Sequence, residues 1–441
     1  MLSGFDRRST SNGRNPMTGT RSAGKPFDIP KTLVWEAYQK VKANKGAAGV
    51  DGQSLTEFEQ DEKNNLYKLW NRLSSGSYFP PPVRAVDIPK QGGGIRTLGV
   101  PTVADRIAQT AVAMVLSPSA EQVFHPDSYG YRPGRSALDA VETCKQRCWR
   151  QPWVIDLDIQ GFFDNVPHDP IVAAVERHTE LPWVVLYVKR WLTAPLRQID
   201  GTLIRRDKGT PQGSAISPLL SNLFMHYAFD SWVERELGSV RFERYCDDAI
   251  VHCVSEKQAE FVRDAIARRL GRFGLALHPD KTRIVYCKQE GRDLEFPVTE
   301  FTFLGFTFRR RASRLRDGRL KTGFLPAVSK QAKKSMAKTI RNWRLGRWTA
   351  LTFTEIAAMI NPVVAGWINY YGHFYKSELI SFLERQINPF LVKWAMRKYK
   401  RYRRAIGRAR RKMAEFASTY PGMFAHWKHG ALPSGSTVGA V

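Results

Sequence analysis

The chain has 441 residues, 43% of them apolar and 25% charged, with a net charge of +27. That length and apolar content suffice for a large core in two to four domains and exclude a fibrous or disordered chain. No run of about 18 apolar residues and no lipidation signal occurs, which argues against a membrane partner.

The excess charge is not spread evenly: residues 301–441 hold 28 Lys+Arg against 5 Asp+Glu. Such asymmetry reads as a polyanion-binding module joined to a nearly neutral one, and nucleic acid is the expected polyanion. The five cysteines (Cys144, Cys148, Cys246, Cys253, Cys287) show no paired CxxC pattern, and no secretory signal precedes them. Reduced thiols in a cytoplasmic protein are expected, each cysteine a small core or surface residue.

Residues 1–25 are rich in Ser, Gly, Arg and Asn without periodicity, so a mobile tail is expected. The segment 31–43 has helical spacing, with Leu33, Val34, Ala37, Tyr38 and Val41 on one face. After the turn-rich "NKGAAGVDG" (44–52), residues 83–101 read as two strands joined by glycines. These glycines suit a plain flexible loop. Arg84, Lys90 and Arg96, spaced by six, can also share one face of a hairpin, where three cations and a glycine backbone would suit a triphosphate.

The run "WVIDLDIQGFFDNVPHD" (153–169) gives a strand with Asp156, Asp158 and Asp164 on or just past it, and 168–178 gives a helix. Residues 208–233 begin with a Gly/Pro turn and continue as an apolar helix, and 274–287 and 301–308 read as hairpin strands. Between them lies "RYCDDAIVHC" (244–253), whose adjacent Asp247 and Asp248 repel each other. An Asp-Asp pair is most often a solvated turn. Here Val240, Phe242, Ile250 and Val251 place the pair at the tip of a half-buried hairpin, a usual mount for a divalent metal with a third carboxylate from elsewhere. Helices and acid-bearing strands in this order make an α+β pattern in which one sheet collects distant carboxylates.

"DIQGFFD", "TPQGSAISPLLSNLF", "YCDD", "HPDKT" and "FLGF", in this order, resemble the motifs of reverse transcriptases. "NKGAAGVDG", "YGYRPGRSALDAV" (129–141) and "INPVVAGWINYYGHF" (360–374) resemble those encoded by group II introns, and the likeness covers roughly residues 31–430. It implies a right-hand polymerase: fingers and palm over 26–310, a basic helical thumb/maturase domain over 311–412, and a short tail over 413–441. By motif position Asp158, Asp247 and Asp248 would be the catalytic residues and hold two Mg²⁺ ions. Arg84, Lys90 and Arg96 would clamp the dNTP, Phe163 would gate the 2′ position, and Gln212 and Lys281 would also contact the nucleotide or primer. Asp156 and Asp164 are read as supporting residues, and Cys246 stands where the family most often has alanine.

In the C-terminal part, Lys333, Lys334, Arg341, Arg344, Arg397, Lys398, Arg401, Arg403 and Arg404 are interleaved with aromatics, a mixture suited to RNA phosphates and bases. The resemblance implies an RNA-directed DNA polymerase that binds its intron RNA, assists splicing and copies the RNA into cDNA at a DNA target during retrohoming. "MFAHWKHG" (423–430) offers two histidines and no cysteine, so the end of the chain resembles the branch without an endonuclease. A maturase without polymerase activity and a reverse transcriptase repurposed for defence or diversification are the alternatives.

Overall fold

The computed structural model describes residues 25–89, 94–292, 294–314 and 318–433. The expected tail, Lys25 apart, and Lys90 lie outside them. Strands β1 (Val83–Pro89), β2 (Ile95–Val100), β3 (Trp153–Leu157), β4 (Leu196–Arg197), β5 (Leu203–Ile204), β6 (Arg241–Tyr245), β7 (Asp248–Cys253), β8 (Arg283–Tyr286), β9 (Phe301–Phe303), β10 (Phe306–Arg314) and β11 (Leu320–Val328) form three sheets among helices. Their orders are β2-β1-β4-β5, β6-β7-β3-β8 and β11-β10-β9.

The second sheet is the palm. Its alternation sends Ile155, Leu157, Ala249 and Val251 into a core shared with the helices Ser217–Met225 and Glu256–Gly271. Val154, Ile250 and Val285 point the other way, onto the helix Ala137–Arg150 and the phenylalanines of the third sheet. Asp156 and Asp158 have the parity of Val154, so the acids extend that second face beyond its apolar part. β8 pairs with β3, through Val154↔Val285 and Ile155↔Ile284, and so belongs to the palm instead of forming a hairpin of its own. Residues 301–308 do form a hairpin, turning at Leu304 and Gly305 with φ of 49° and 81°.

The apolar stretch expected as one helix over 208–233 is interrupted. A π-helical turn, His226–Asp230, separates the helices Ser217–Met225 and Ser231–Glu236. The basic part is a helical bundle built from Lys330–Asn342, Phe353–Tyr371, Lys376–Lys398 and Ile406–Thr419. Its core does not stop at residue 412, for Met413, Ala417, Phe424 and Trp427 are buried in it. Two Asn-Pro steps inside these helices hold the segment that follows. Asn361 donates to the Met423 carbonyl (2.9 Å) and accepts from the Ala425 N–H (2.8 Å). Asn388 accepts from His426 Nε2 and Trp427 Nε1, both at 2.9 Å, and donates to the Ala431 carbonyl (3.0 Å). Among the described residues no helix is long and apolar enough to cross a membrane.

Candidate active site

Asp158 follows the last residue of β3. Its backbone is fixed by the loop that leads to β8: the His278 N–H donates to its carbonyl (2.8 Å), and the Thr282 hydroxyl donates to the same oxygen (3.2 Å). Across the sheet Leu157 faces Ala249, which brings Asp248, the first residue of β7, opposite Asp158. Asp247 is the second residue of the β6–β7 turn. Cys246, the first, has φ of 61°, so the two-residue turn has positive φ at its first position, as in a type II′ hairpin turn.

The acids interact through space. Burial raises the Asp248 carboxyl well above its ordinary value, with Asp156, Asp247 and Asp158 adding like-charge repulsion. Burial also raises Asp247, where Asp158 adds to the effect and Arg96 opposes it. Asp156 is lifted to about 6 by burial, against the pull of Arg283, whose Nη2 lies 3.1 Å from Asp156 Oδ2. Lys281 Nζ stands 3.1 Å from Asp158 Oδ2. Two cations of the 281–283 segment thus serve Asp156 on β3 and Asp158 just past it, while Asp247 and Asp248 have no side-chain ion pair among the described residues. Hard oxygen donors that repel one another in a partly dry site fit a divalent cation.

The residues expected around the nucleotide are brought together in part. The β1–β2 register pairs Ile88 with Arg96 and Arg84 with Val100, so Arg84 and Arg96 share a face. Arg96 is an electrostatic neighbour of Asp247 and Tyr131. Arg84 turns away from that role in part, its Nη2 donating to the Ala48 carbonyl (2.7 Å) in the loop after the first helix. Phe163 lies in the short helix Phe162–Asn165, and its carbonyl accepts from the Thr210 N–H (2.7 Å). Thr210 begins the loop that carries Gln212, whose carbonyl in turn accepts from the Gly99 N–H on β2 (2.7 Å). Gln109, buried in the helix Val103–Glu121, holds this loop from behind. Its Oε1 accepts from Ser214 Oγ (2.6 Å) and the Ala215 N–H (2.9 Å).

Of the basic residues, Lys333 and Lys398 are committed internally, to Glu378 and to the Leu351 carbonyl. Lys334, Arg341, Arg344, Arg397, Arg401, Arg403 and Arg404 are exposed. All five cysteines are buried and free. Cys144, Glu243 and His252 have potential ligand atoms within 4.8 Å of one another. That Glu243 carboxylate is already taken by Arg147 (2.5 Å) and His252 Nε2 (2.7 Å), and Arg147 also binds Asp127 (2.8 Å), which makes a chain of alternating charge buried at its Glu243–His252 end.

Residues 88–308 match the family model for reverse transcriptase (RNA-dependent DNA polymerase), and residues 333–413 match the group II intron maturase-specific domain. The protein YkfC of Escherichia coli (strain K12) is 34% identical over 291 residues, covering 56% of this chain and 75% of that one. The group II intron-encoded protein LtrA of Lactococcus lactis subsp. cremoris is 32% identical over 197 residues, 44% of this chain and 32% of its own length. Among solved structures, telomerase from Candida albicans in complex with a fragment of telomeric RNA aligns with 86% of this chain and 69% of its own, at 11% identity and a TM-score of 0.46. The chain belongs to the reverse transcriptase family, in the group II intron-encoded branch that carries the maturase-specific domain.

Proposed function

We propose that this chain is an active RNA-directed DNA polymerase that binds a group II intron RNA, assists its splicing and copies it into cDNA from a primer at a DNA target. The observation that carries this reading is the juxtaposition of Asp158, Asp247 and Asp248 at the end of the palm sheet, with Arg96 beside Asp247 and Lys281 on Asp158. The family uses divalent metal ions. Two Mg²⁺ ions held by these three carboxylates would lower the pKa of the primer 3′-hydroxyl and neutralise the leaving pyrophosphate.

The chain's own groups do the rest. Arg96 offers its guanidinium to the triphosphate from the fingers hairpin, Lys281 orients the Asp158 carboxylate, and the Phe163 ring stands where a ribose 2′-hydroxyl would collide. The exposed cations of the helical part take RNA phosphates. Asp158→Ala or Asp247→Ala is expected to lower Mg²⁺-dependent primer extension by at least about 10³-fold while intron RNA affinity stays within about twofold. Extension at the wild-type rate by either variant would remove the assignment. Splicing assistance that survives in both variants would separate the RNA-binding role from the polymerase.

A further inference from the structure

The arginine that precedes the catalytic turn is fully buried and uses every N–H it has. Arg244 Nε donates to Asp230 Oδ1 (2.7 Å), and Nη2 donates to Asp230 Oδ2 (2.6 Å) and Ser128 Oγ (2.8 Å). Its Nη1 donates to Asn222 Oδ1 (3.0 Å) and to the Cys246 carbonyl (2.7 Å). Five donors thus meet five acceptors, and both Arg244 and Asp230 have side-chain exposure of 0%. One of those acceptors is the backbone of the turn that presents Asp247 and Asp248.

That turn has reason to relax. It holds a non-glycine residue, Cys246, in the left-handed region, and it carries two carboxylates that repel each other and Asp158. Arg244 resists this from inside, and a neighbouring segment resists it from outside. The Arg244 N–H donates to the Asp127 carbonyl (2.9 Å), and the Tyr129 N–H donates to the Arg244 carbonyl (2.8 Å), so residues 127–129 run as an extra edge along β6. Asn222 joins the two supports by donating to the Gly130 carbonyl (2.7 Å). Gly130 lies against the turn so closely that a Cβ there would come within 2.6 Å of the Cys246 nitrogen. The π-helical turn brings its last residue, Asp230, against the arginine.

We infer that Arg244, clamped by Asp230, Asn222 and Ser128 and backed by Gly130, is the positioning residue that fixes the Cys246–Asp247 turn and thereby sets the geometry of the carboxylates. Arg244 touches no substrate and acts through the Cys246 carbonyl. This assigns a task to Gly130 of "YGYRPGRSALDAV" and to Asn222 of "SPLLSNLF". The inference rests on the polymerase reading only for its kinetic arm. Metal binding by the free protein tests it separately.

The experiment compares Gly130→Ala, Arg244→Lys and the apolar pair Arg244→Met with Asp230→Leu in the full-length protein. Three measurements are made on each: melting temperature, Mn²⁺ affinity by electron paramagnetic resonance without nucleic acid, and kcat with dNTP KM for primer extension. Gly130→Ala, which presses on the turn and leaves the ion pair intact, is expected to melt within a few degrees of wild type. It should bind Mn²⁺ about tenfold more weakly and lose roughly 10²-fold in kcat, with dNTP KM nearly unchanged. Arg244→Lys is expected to share these losses, since an ammonium has three N–H groups and no planar fork. Weakened Mn²⁺ binding in the variants, with no measurable extension by the wild type itself, would uphold the clamp while sinking the polymerase reading. Wild-type Mn²⁺ affinity in Gly130→Ala, or in a folded apolar pair, would overturn the inference and leave Arg244 as a packing residue.

Discussion

Lys281 and Asp158 form an ion pair at 3.1 Å with their side chains 63% and 40% exposed. A pair so wet adds little to stability, about 0–1 kcal/mol. Lys281→Met is therefore expected to leave the melting temperature nearly unchanged while lowering primer extension by roughly 10–100-fold, because the Asp158 carboxylate loses the ammonium that orients it. Calorimetry and single-turnover extension on the same preparation check this.

Asp248 makes the opposite trade. Its carboxyl is raised well above the ordinary 3.8, first by burial and then by Asp156, Asp247 and Asp158. A raised carboxyl favours folding at low pH and disfavours it once pH passes the unfolded value, so at neutral pH the charge destabilises the protein. Asp248→Asn should raise the melting temperature, because the amide carries no charge for burial and the neighbouring carboxylates to penalise. The same variant should lose activity, and added Mg²⁺ should stabilise it less than wild type.

His252 supplies a pH dependence of the other sign. Burial alone would lower it, but the Glu243 carboxylate and Cys148 outweigh burial and hold it at about 10 against an ordinary 6.5. A raised histidine contributes stability that is complete below about 6.5 and disappears as pH climbs to about 10. Wild-type melting temperature should therefore fall across that window more steeply than that of His252→Asn. Parallel curves for the two proteins would refute it.

Phe163 is packed edge-on against Phe162, with ring centroids 5.4 Å apart, on the short helix that follows Asp158. Phe163→Val should raise ribonucleotide incorporation relative to deoxynucleotide by roughly 10–100-fold, by opening space at the 2′ position. Competition assays with both nucleotides on one primer-template measure the ratio.

Arg401, Arg403 and Arg404 are exposed around the buried Tyr402. Replacing all three with Gln should reduce the salt slope of intron RNA binding by roughly 0.7–0.9 per lost phosphate contact. Splicing should suffer more than extension of a short primer at low salt, with little change in melting temperature. An unchanged slope would show that this run is only a solvated face.

Local patterns carried much of this site. Alternation placed β3 and the β6–β7 hairpin, and the even spacing of Arg84 and Arg96 fixed their common face once the hairpin formed. What local pattern could not carry was commitment to distant partners. Arg84, read as a triphosphate clamp, also meets the Ala48 carbonyl, and Lys333 and Lys398, read as RNA-binding, also reach Glu378 and the Leu351 carbonyl. The end of the chain reads as a tail because Asn361 and Asn388, which hold it, lie 62 and 43 residues from the carbonyls they reach. The π turn leaves no mark on apolar spacing, and its reason, Arg244, sits on another element.

The Leu304–Gly305 turn touches both ends of the molecule's chemistry. Its Leu304 N–H faces the Asp248 carboxylate, and its Leu304 carbonyl accepts from the Tyr370 hydroxyl (2.9 Å) on the helix Phe353–Tyr371. Tyr371 closes the other side, its hydroxyl 3.1 Å from where a Gly305 Cβ would stand. The turn beside Asp248 is therefore backed by a helix of the part that matches the maturase-specific domain. Polymerase and maturase parts are not interchangeable cassettes: a chimera that keeps this palm must inherit both tyrosines with it.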